Sequence, residues 1–339
     1  MTKKILLIGS GMFIEQTILP ALVCLKQQFK IVGILNNSGK VSTTIEQLQA
    51  NLTVTNDIKH FSANEIDIVF MCIPVQSVPS TLSKLLKNNF KNVTLFVTTP
   101  VVPLNKLNLT RELKQFKKAY AFEFVPFLSK YRLARTLITE GKVGKFKKLW
   151  LNHNGYLYHG LATIRSFMNW QYPVSVKALK FGPYSEYQFK FANSAFAAIK
   201  EPKDYHNGSF LIAGTKGLIC DHPLNAKNTY LIDHALDKSG KITGFTVNNT
   251  QQPITEAEQI VFSELPLELL SDKTEIRQLN IIAAAEVFNA AFNNDLSKLY
   301  SYQDTILDHA IIRIAKKCRH YLDPFAYFGT SILKAIIRK

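Results

Sequence analysis

Apolar residues gather in short runs separated by polar, glycine-bearing turns, and in the first half of the chain those runs alternate in kind. Ile5 to Ile8 is an unbroken apolar stretch that stops at a glycine, the pattern of a strand covered on both faces. From Phe13 to Phe29 the apolar positions, Ile18, Leu22 and Leu25 among them, suit one face of a helix, and Pro20 either kinks that helix or marks a later effective start. Ile31 to Leu35 reads as the second strand, closed by the turn Asn36 to Gly39, and Thr44 to Leu52 as a further helix. Asp67 to Ile73 is a buried strand terminated by Pro74. Leu82 to Asn89 then reads as helix, Val93 to Val97 as strand, Leu109 to Lys118 as helix and Tyr120 to Val125 as strand. This alternation predicts an α/β protein whose residues 1–120 form a nucleotide-binding Rossmann domain, a parallel sheet with helices on both faces.

Beyond residue 120 the pattern shifts toward strands. Candidates are Phe146 to Asn152, Val174 to Phe181, Tyr187 to Phe191, Ser209 to Ala213, Gly217 to Asp221 and Lys241 to Val247. Ile276 to Asn293 and Tyr302 to Tyr321 read as long amphipathic helices with core or interface faces, Glu286 and Asp304 turning to solvent. Residues 121–339 are therefore expected to form a second α/β domain that includes the crossover segment.

Composition narrows the class. With 339 residues, 47% of them hydrophobic, the chain can bury a sizeable core, and 13 prolines and 15 glycines are too few for a collagen-like or low-complexity chain. The 41 basic against 25 acidic residues give a formal charge of +16. The excess is scattered in short groups, Lys114, Lys117 and Lys118, then Lys142 to Lys148, then Lys316 and Lys317, without a basic arm or a basic-aromatic platform. A solvated surface is the plain reading, a phosphate on cofactor or substrate the sharper one, and nucleic acid is not expected as a partner. Cys24, Cys72, Cys220 and Cys318 form neither a Cys-x-x-Cys pair nor a disulfide framework, and there is no zinc signature, so reduced thiols and a cytoplasmic location are expected. The opening apolar run is too short for a leader, and no 18-residue apolar stretch suggests a membrane partner.

Candidate chemistry begins at the first turn. Gly9 and Gly11 lie between a strand and a helix opened by Met12 and Phe13, the context in which backbone can approach a pyrophosphate; Ile14 holds the usual third-glycine position. At the end of the second strand an NAD site would carry a carboxylate for the ribose hydroxyls. Here stand Asn36, Asn37, Ser38 and Lys40, which tilts the expected cofactor toward NADP over NAD. Cys72, Pro74 and Thr99, at the ends of later strands, complete the candidate cofactor set.

The order of Asp67 to Pro74 (DIVFMCIP), Thr98-Thr99-Pro100, Glu140 to Lys145 (EGKVGK) and Gly208 to Gly217 (GSFLIAGTKG) resembles the glucose-fructose oxidoreductase, inositol dehydrogenase and MocA family over nearly the whole chain. The resemblance implies a C-terminal domain with an open, mainly antiparallel sheet that often contributes to oligomerisation, hence a homodimer or homotetramer. It also implies three departures. Thr99 stands where members carry lysine; Val78 stands where many carry histidine; and in Tyr158 to Arg165 the family's acidic, histidine and acidic positions hold Tyr158, Ala162 and Arg165. The candidate catalytic residues are accordingly Tyr158 or His159 as proton donor and Arg165 as anchor for an anionic group, although these side chains could equally serve local hydrogen bonds and ion pairs. Lys130 is a weaker candidate to replace the charge missing at Thr99. The expected function is an NADP- or NAD-dependent oxidoreductase acting on a small polar or anionic carbonyl, imine or sugar-derived substrate. The alternative is a noncatalytic dinucleotide- or metabolite-binding protein on the same fold.

Overall fold

The structure, a computed structural model, describes residues 2–39, 52–204, 207–267 and 274–326. It divides into two compact units, residues 1–124 with 255–306, and residues 125–254 with 307–339.

The first unit is built on β1 (Lys3–Ile8), β2 (Phe29–Leu35), β3 (Thr53–Thr55), β4 (Ile68–Met71), β5 (Thr94–Thr98) and β6 (Lys118–Phe122). These run parallel in the order β3-β2-β1-β4-β5-β6, and the two-residue strand Tyr300–Ser301 adds antiparallel to β6. The order reverses between β1 and β4, which opens the crevice where doubly wound sheets take their ligands. Ile5, Leu6 and Leu7 are wholly buried, as a central parallel strand requires. After Gly11 the chain makes one π-helical segment, Ile14–Ile18, before the α-helix Leu19–Cys24 begins with Pro20 in its first turn. The π segment just ahead of Pro20 is the kind of local irregularity by which a helix accommodates a proline that lacks its N–H. Met12 and Phe13 are already helical and lead without a break through the π segment, so Pro20 does not mark a later start.

Residues 255–306 were allotted by sequence to the second domain, but they pack into the first. The reason is aromatic burial: Phe288, on the helix Glu275–Asn293, meets Phe29, Phe70 and Phe122 at ring-centroid distances of 5.7, 5.6 and 5.1 Å. Burying one such ring contributes roughly 1.5–3 kcal/mol, and the edge and tilted contacts add to it. Glu286 of the same helix does not face solvent. It is buried, accepting hydrogen bonds from Thr255 Oγ1 and, at 3.2 Å, from Lys298 Nζ. Leu109 to Lys118 is also shorter as helix than expected, because only Thr110–Leu113 is α-helical before β6 begins at Lys118. The expected helix from Thr44 lies outside the described residues.

The second unit carries a nine-stranded open sheet of β7 (Phe146–Asn152), β8 (Ser175–Phe181), β9 (Tyr184–Lys190), β10 (Phe196–Glu201), β11 (Ser209–Gly214), β12 (Leu218–Cys220), β13 (Thr229–Leu236), β14 (Ile242–Val247) and β15 (Thr250–Gln251). Its order is β15-β14-β13-β12-β11-β7-β10-β9-β8, antiparallel except for the β7–β10 and β12–β13 pairs. In β7 the alternation is visible: Leu149 and Leu151 are buried while Lys148 is exposed. The helix Leu157–Phe167 lies against β10 through Gly160, where an added Cβ would come within 2.7 Å of Ile199 Cδ1. The last helix, Tyr302–Ala315, stops six residues before the expected Tyr321, and Leu322 instead bridges to Val176 on β8.

Candidate functional site

At the sheet's switch point a cleft of about 360 Å³ runs along the C-terminal ends of β1, β2 and β4. Gly9 adopts φ +106°, and a Cβ there would run into the carbonyl oxygen of Cys72, so the turn requires glycine. A Cβ on Gly11 would meet no protein atom within 4 Å, so this second glycine leaves open space beside the backbone. The end of β2 is sewn to the glycine turn by Asn36. Its Nδ2 donates to Ser10 Oγ at 2.9 Å, and its Oδ1 accepts from Gly39 N at 2.7 Å and Ser38 Oγ at 3.2 Å. Asn36, Asn37 and Ser38 line the cleft on one side, and Cys72, Ile73 and Pro74 wall it at the end of β4. Burial pushes the Cys72 thiol up from its ordinary pKa, with a hydrogen bond to Thr98 pulling the other way.

Not every expected cofactor residue lies here. Met12 is 68% exposed and the Phe13 ring lies tilted against Phe124 at 5.4 Å; neither lines the cleft. Thr99 is also outside it, its Oγ1 donating to the buried carboxylate of Glu123 at 3.3 Å. Lys40 lies outside the described residues. In its place the cleft offers a cation that was not foreseen, Lys84, on the helix Val78–Lys87 together with Thr81. No carboxylate lines the cleft among the described residues.

In the second unit, the start of the helix Leu157–Phe167 carries an aromatic and imidazole cluster. The rings of Tyr158 and His159 are 4.6 Å apart, Tyr156 lies within 6.4 Å of both, and His309 sits 5.4 Å from Tyr158. Glu201, at the end of β10, accepts the Leu157 amide at 2.8 Å and so caps the helix from outside. Burial raises the Glu201 carboxyl, with the Leu157 amide and Lys316 pulling the other way. Burial, with Arg313 and Lys316, lowers the His309 imidazole. Glu201 and His309 were both missed by sequence, since each reaches the cluster from a distant element.

Arg165 does not join that cluster as an anchor. It is 1% exposed; its Nη1 bonds Asp308 Oδ1 at 2.9 Å, its Nη2 donates to Trp170 O at 2.8 Å, and its guanidinium lies 3.6 Å from the Tyr172 ring. A guanidinium so enclosed holds protein together and is closed to a substrate anion. The alternative open on sequence, an ion pair with an acidic residue, is the one realised. Lys130 likewise pairs with Asp221 at 2.7 Å, both partly buried, and does not stand in for charge missing at Thr99.

Residues 3–119 match the family GFO_IDH_MocA, described as the oxidoreductase family with an NAD-binding Rossmann fold. Over that N-terminal stretch the chain is similar to the Gfo/Idh/MocA oxidoreductase family. Solved structures agree on the fold. Myo-inositol 2-dehydrogenase from Lactobacillus plantarum is 15% identical, with a TM-score of 0.62 over 95% of this chain and 99% of that one. An oxidoreductase from Agrobacterium radiobacter, solved with NAD+, L-tartaric acid and magnesium, is 12% identical with a TM-score of 0.65 over 96% and 100%. The super-repressor mutant Gal80(S0)-[G301R] of Gal80p from Saccharomyces cerevisiae is 14% identical with a TM-score of 0.68 over 98% and 99%. A comparison with curated proteins finds no match.

The positions that the sequence resemblance singled out have clear surroundings. Thr99 is tied to Glu123, Val78 is buried at the start of its helix, and Ala162 is buried between Leu161 and Thr163. Among the described residues there is no cluster of three or more His, Cys, Asp or Glu that could hold a metal, and no helix long and apolar enough to cross a membrane.

Proposed function

We propose that this chain is a member of the Gfo/Idh/MocA family and an NADP-dependent reductase of small polar carbonyl or imine compounds. The observation that carries the reading is the cleft: a glycine turn at the switch point, the polar turn Asn36 to Ser38, one ammonium at Lys84, and no lining carboxylate among the described residues. A carboxylate there would bind ribose hydroxyls and repel a 2′-phosphate, whereas an ammonium with amide and hydroxyl donors favours that phosphate. The residues fit the group. Gly9 and Gly11 let backbone approach the pyrophosphate, Asn37, Ser38 and Lys84 receive the adenosine phosphate, and Ile73 and Pro74 supply an apolar wall.

The reduced form, NADPH, would supply the hydride when bound. The chain's own task is then to place the acceptor and provide a proton, and we assign the proton to the Tyr158 hydroxyl or the His159 imidazole. Glu201 fixes the start of their helix by holding the Leu157 amide. With Arg165 turned inward, the substrate need carry no anionic group. The open nine-stranded sheet is read as the surface of a homodimer or homotetramer, which sedimentation velocity tests.

The test is isotope transfer from 4-deuterated NADPH to a panel of small hydroxy-ketones, keto acids and cyclic imines. Label in a product supports the reading, and Tyr158→Phe or His159→Gln is expected to reduce the rate by 10²–10⁴. A second reading rests on the structural likeness to the super-repressor mutant of Gal80p: a noncatalytic binding protein on the same fold. Tight NADPH binding without label transfer to any of the panel favours it.

A further inference from the structure

The first unit has a second opening, at the end of the sheet away from the glycine turn. Here β1, β4, β5 and β6 begin, and a cavity of about 450 Å³ lies among Lys3, Ile68, Thr94 and Lys118. Its charge is unbalanced. The ammonium groups of Lys3, Lys117 and Lys118 line it against one carboxylate, Asp67, whose Oδ2 accepts the Lys4 amide at 2.8 Å. Lys117 and Lys118 form no ion pair among the described residues. Lys3 is held in place at the C-terminal end of the helix Glu275–Asn293, donating to Ala291 O at 2.8 Å and Phe292 O at 2.9 Å. An ammonium has three N–H donors, so one remains. Burial holds the Lys3 pKa below its ordinary value, and the neighbouring Lys118 and Lys117 push the same way, against the pull of Asp67. The amides of Asn92 and Asn294 line the same space, and Phe96 and Tyr120, stacked at 5.5 Å, form an aromatic wall.

Three ammonium groups and one carboxylate leave a surplus of about two positive charges, which matches a phosphate dianion. Cavities of about 300–1,000 Å³ are the usual size for a small-molecule site. We propose that this cavity binds the phosphate of a small phosphorylated metabolite, with Lys117, Lys118 and the third N–H of Lys3 on its oxygens. The rest of the molecule, a sugar or a nucleoside, lies along Phe96 and Tyr120. The site is separate from the dinucleotide cleft, since the two lie at opposite ends of the same strands and share no lining residue.

The test is a titration of the full chain, followed by amide NMR at physiological salt, with inorganic phosphate, ribose 5-phosphate and AMP as probes. Saturable shifts centred on Lys3, Asn92, Thr94, Lys118 and Tyr120 are expected, with the stronger of the two esters identifying sugar or nucleoside as the remainder. The double substitution K117Q/K118Q should weaken binding at least tenfold. Lys238→Gln, which removes an exposed charge from a turn in the second unit, should leave it unchanged. All three lysines are exposed, and folding of the variants is checked by the same spectra. Shifts centred on Gly9, Gly11 and Asn36 would overturn the proposal, as would equal weakening by K238Q, unchanged binding in K117Q/K118Q, or no saturable shift with any of the three probes.

Discussion

Replacing Arg165 with methionine separates a structural guanidinium from a substrate-binding one. The side chain is similar in length, so the change removes charge and donors while keeping much of the volume. It leaves Asp308, also 1% exposed, as a buried carboxylate without its partner at 2.9 Å. Breaking a buried pair from one side costs about 3–5 kcal/mol. The Trp170 and Gln171 carbonyls also lose their guanidinium donors, and the cation–π contact with Tyr172 disappears, both of which favour the upper end of that range. At roughly 2–4 °C per kcal/mol for a domain of this size, the second unit should melt about 6–20 °C lower. The double variant R165M/D308L removes both charges and should recover most of the loss, to within about 2 kcal/mol of the parent. Urea and thermal unfolding followed by circular dichroism give both numbers. Should R165M lie within about 1 kcal/mol of the parent, or the double variant be no more stable than either single one, the guanidinium is not the internal clamp described above.

Four further outcomes are expected. Tyr131→Phe should be neutral or stabilising by about 1 kcal/mol in urea unfolding, because the Tyr131 hydroxyl is fully buried without a hydrogen bond among the described residues; a loss greater than that would show a partner for it. His309 has a folded pKa below its ordinary 6.5, so the unfolded chain takes up this proton first and stability falls as pH drops below about 6.5. His309→Gln should remove that slope. Glu201, whose folded pKa is raised, acts in the opposite sense, so parent and variant are compared at each pH. Gly9→Ala should cost about 1–3 kcal/mol from its positive φ, with further loss from the approach to Cys72, read as a lower melting temperature together with lost NADPH binding. Lys84→Gln should weaken NADPH by roughly tenfold while changing NADH little, as fluorescence titration would show.

What was legible in the sequence follows the physics of each element. Parallel strands buried on both faces, such as Ile5 to Ile8 and Ile68–Met71, the buried part of the expected Asp67 to Ile73, declare themselves as apolar runs, and β7 declares itself by alternation. Gly9 was legible because a positive φ and a close backbone leave few other choices of residue. Lys84 was not, since a lysine on a helix reads as solvated until the fold brings that helix face to the end of β4. The return of Phe288 to the first sheet is likewise invisible locally, because an amphipathic helix shows that it has an apolar face but not which sheet will cover it. Arg165 was ambiguous for a related reason: spacing can place a guanidinium on a helix face, but its partner Asp308 is 143 residues away in the chain.

The most direct measurement is calorimetric titration of the purified, folded chain with NADPH and NADH at matched ionic strength. A cleft lined by Lys84 and without a lining carboxylate among the described residues predicts NADPH binding at least tenfold tighter than NADH, a difference of about 1.4 kcal/mol. Equal or tighter NADH binding would contradict the phosphate assignment, and binding of neither nucleotide would contradict the cofactor site itself.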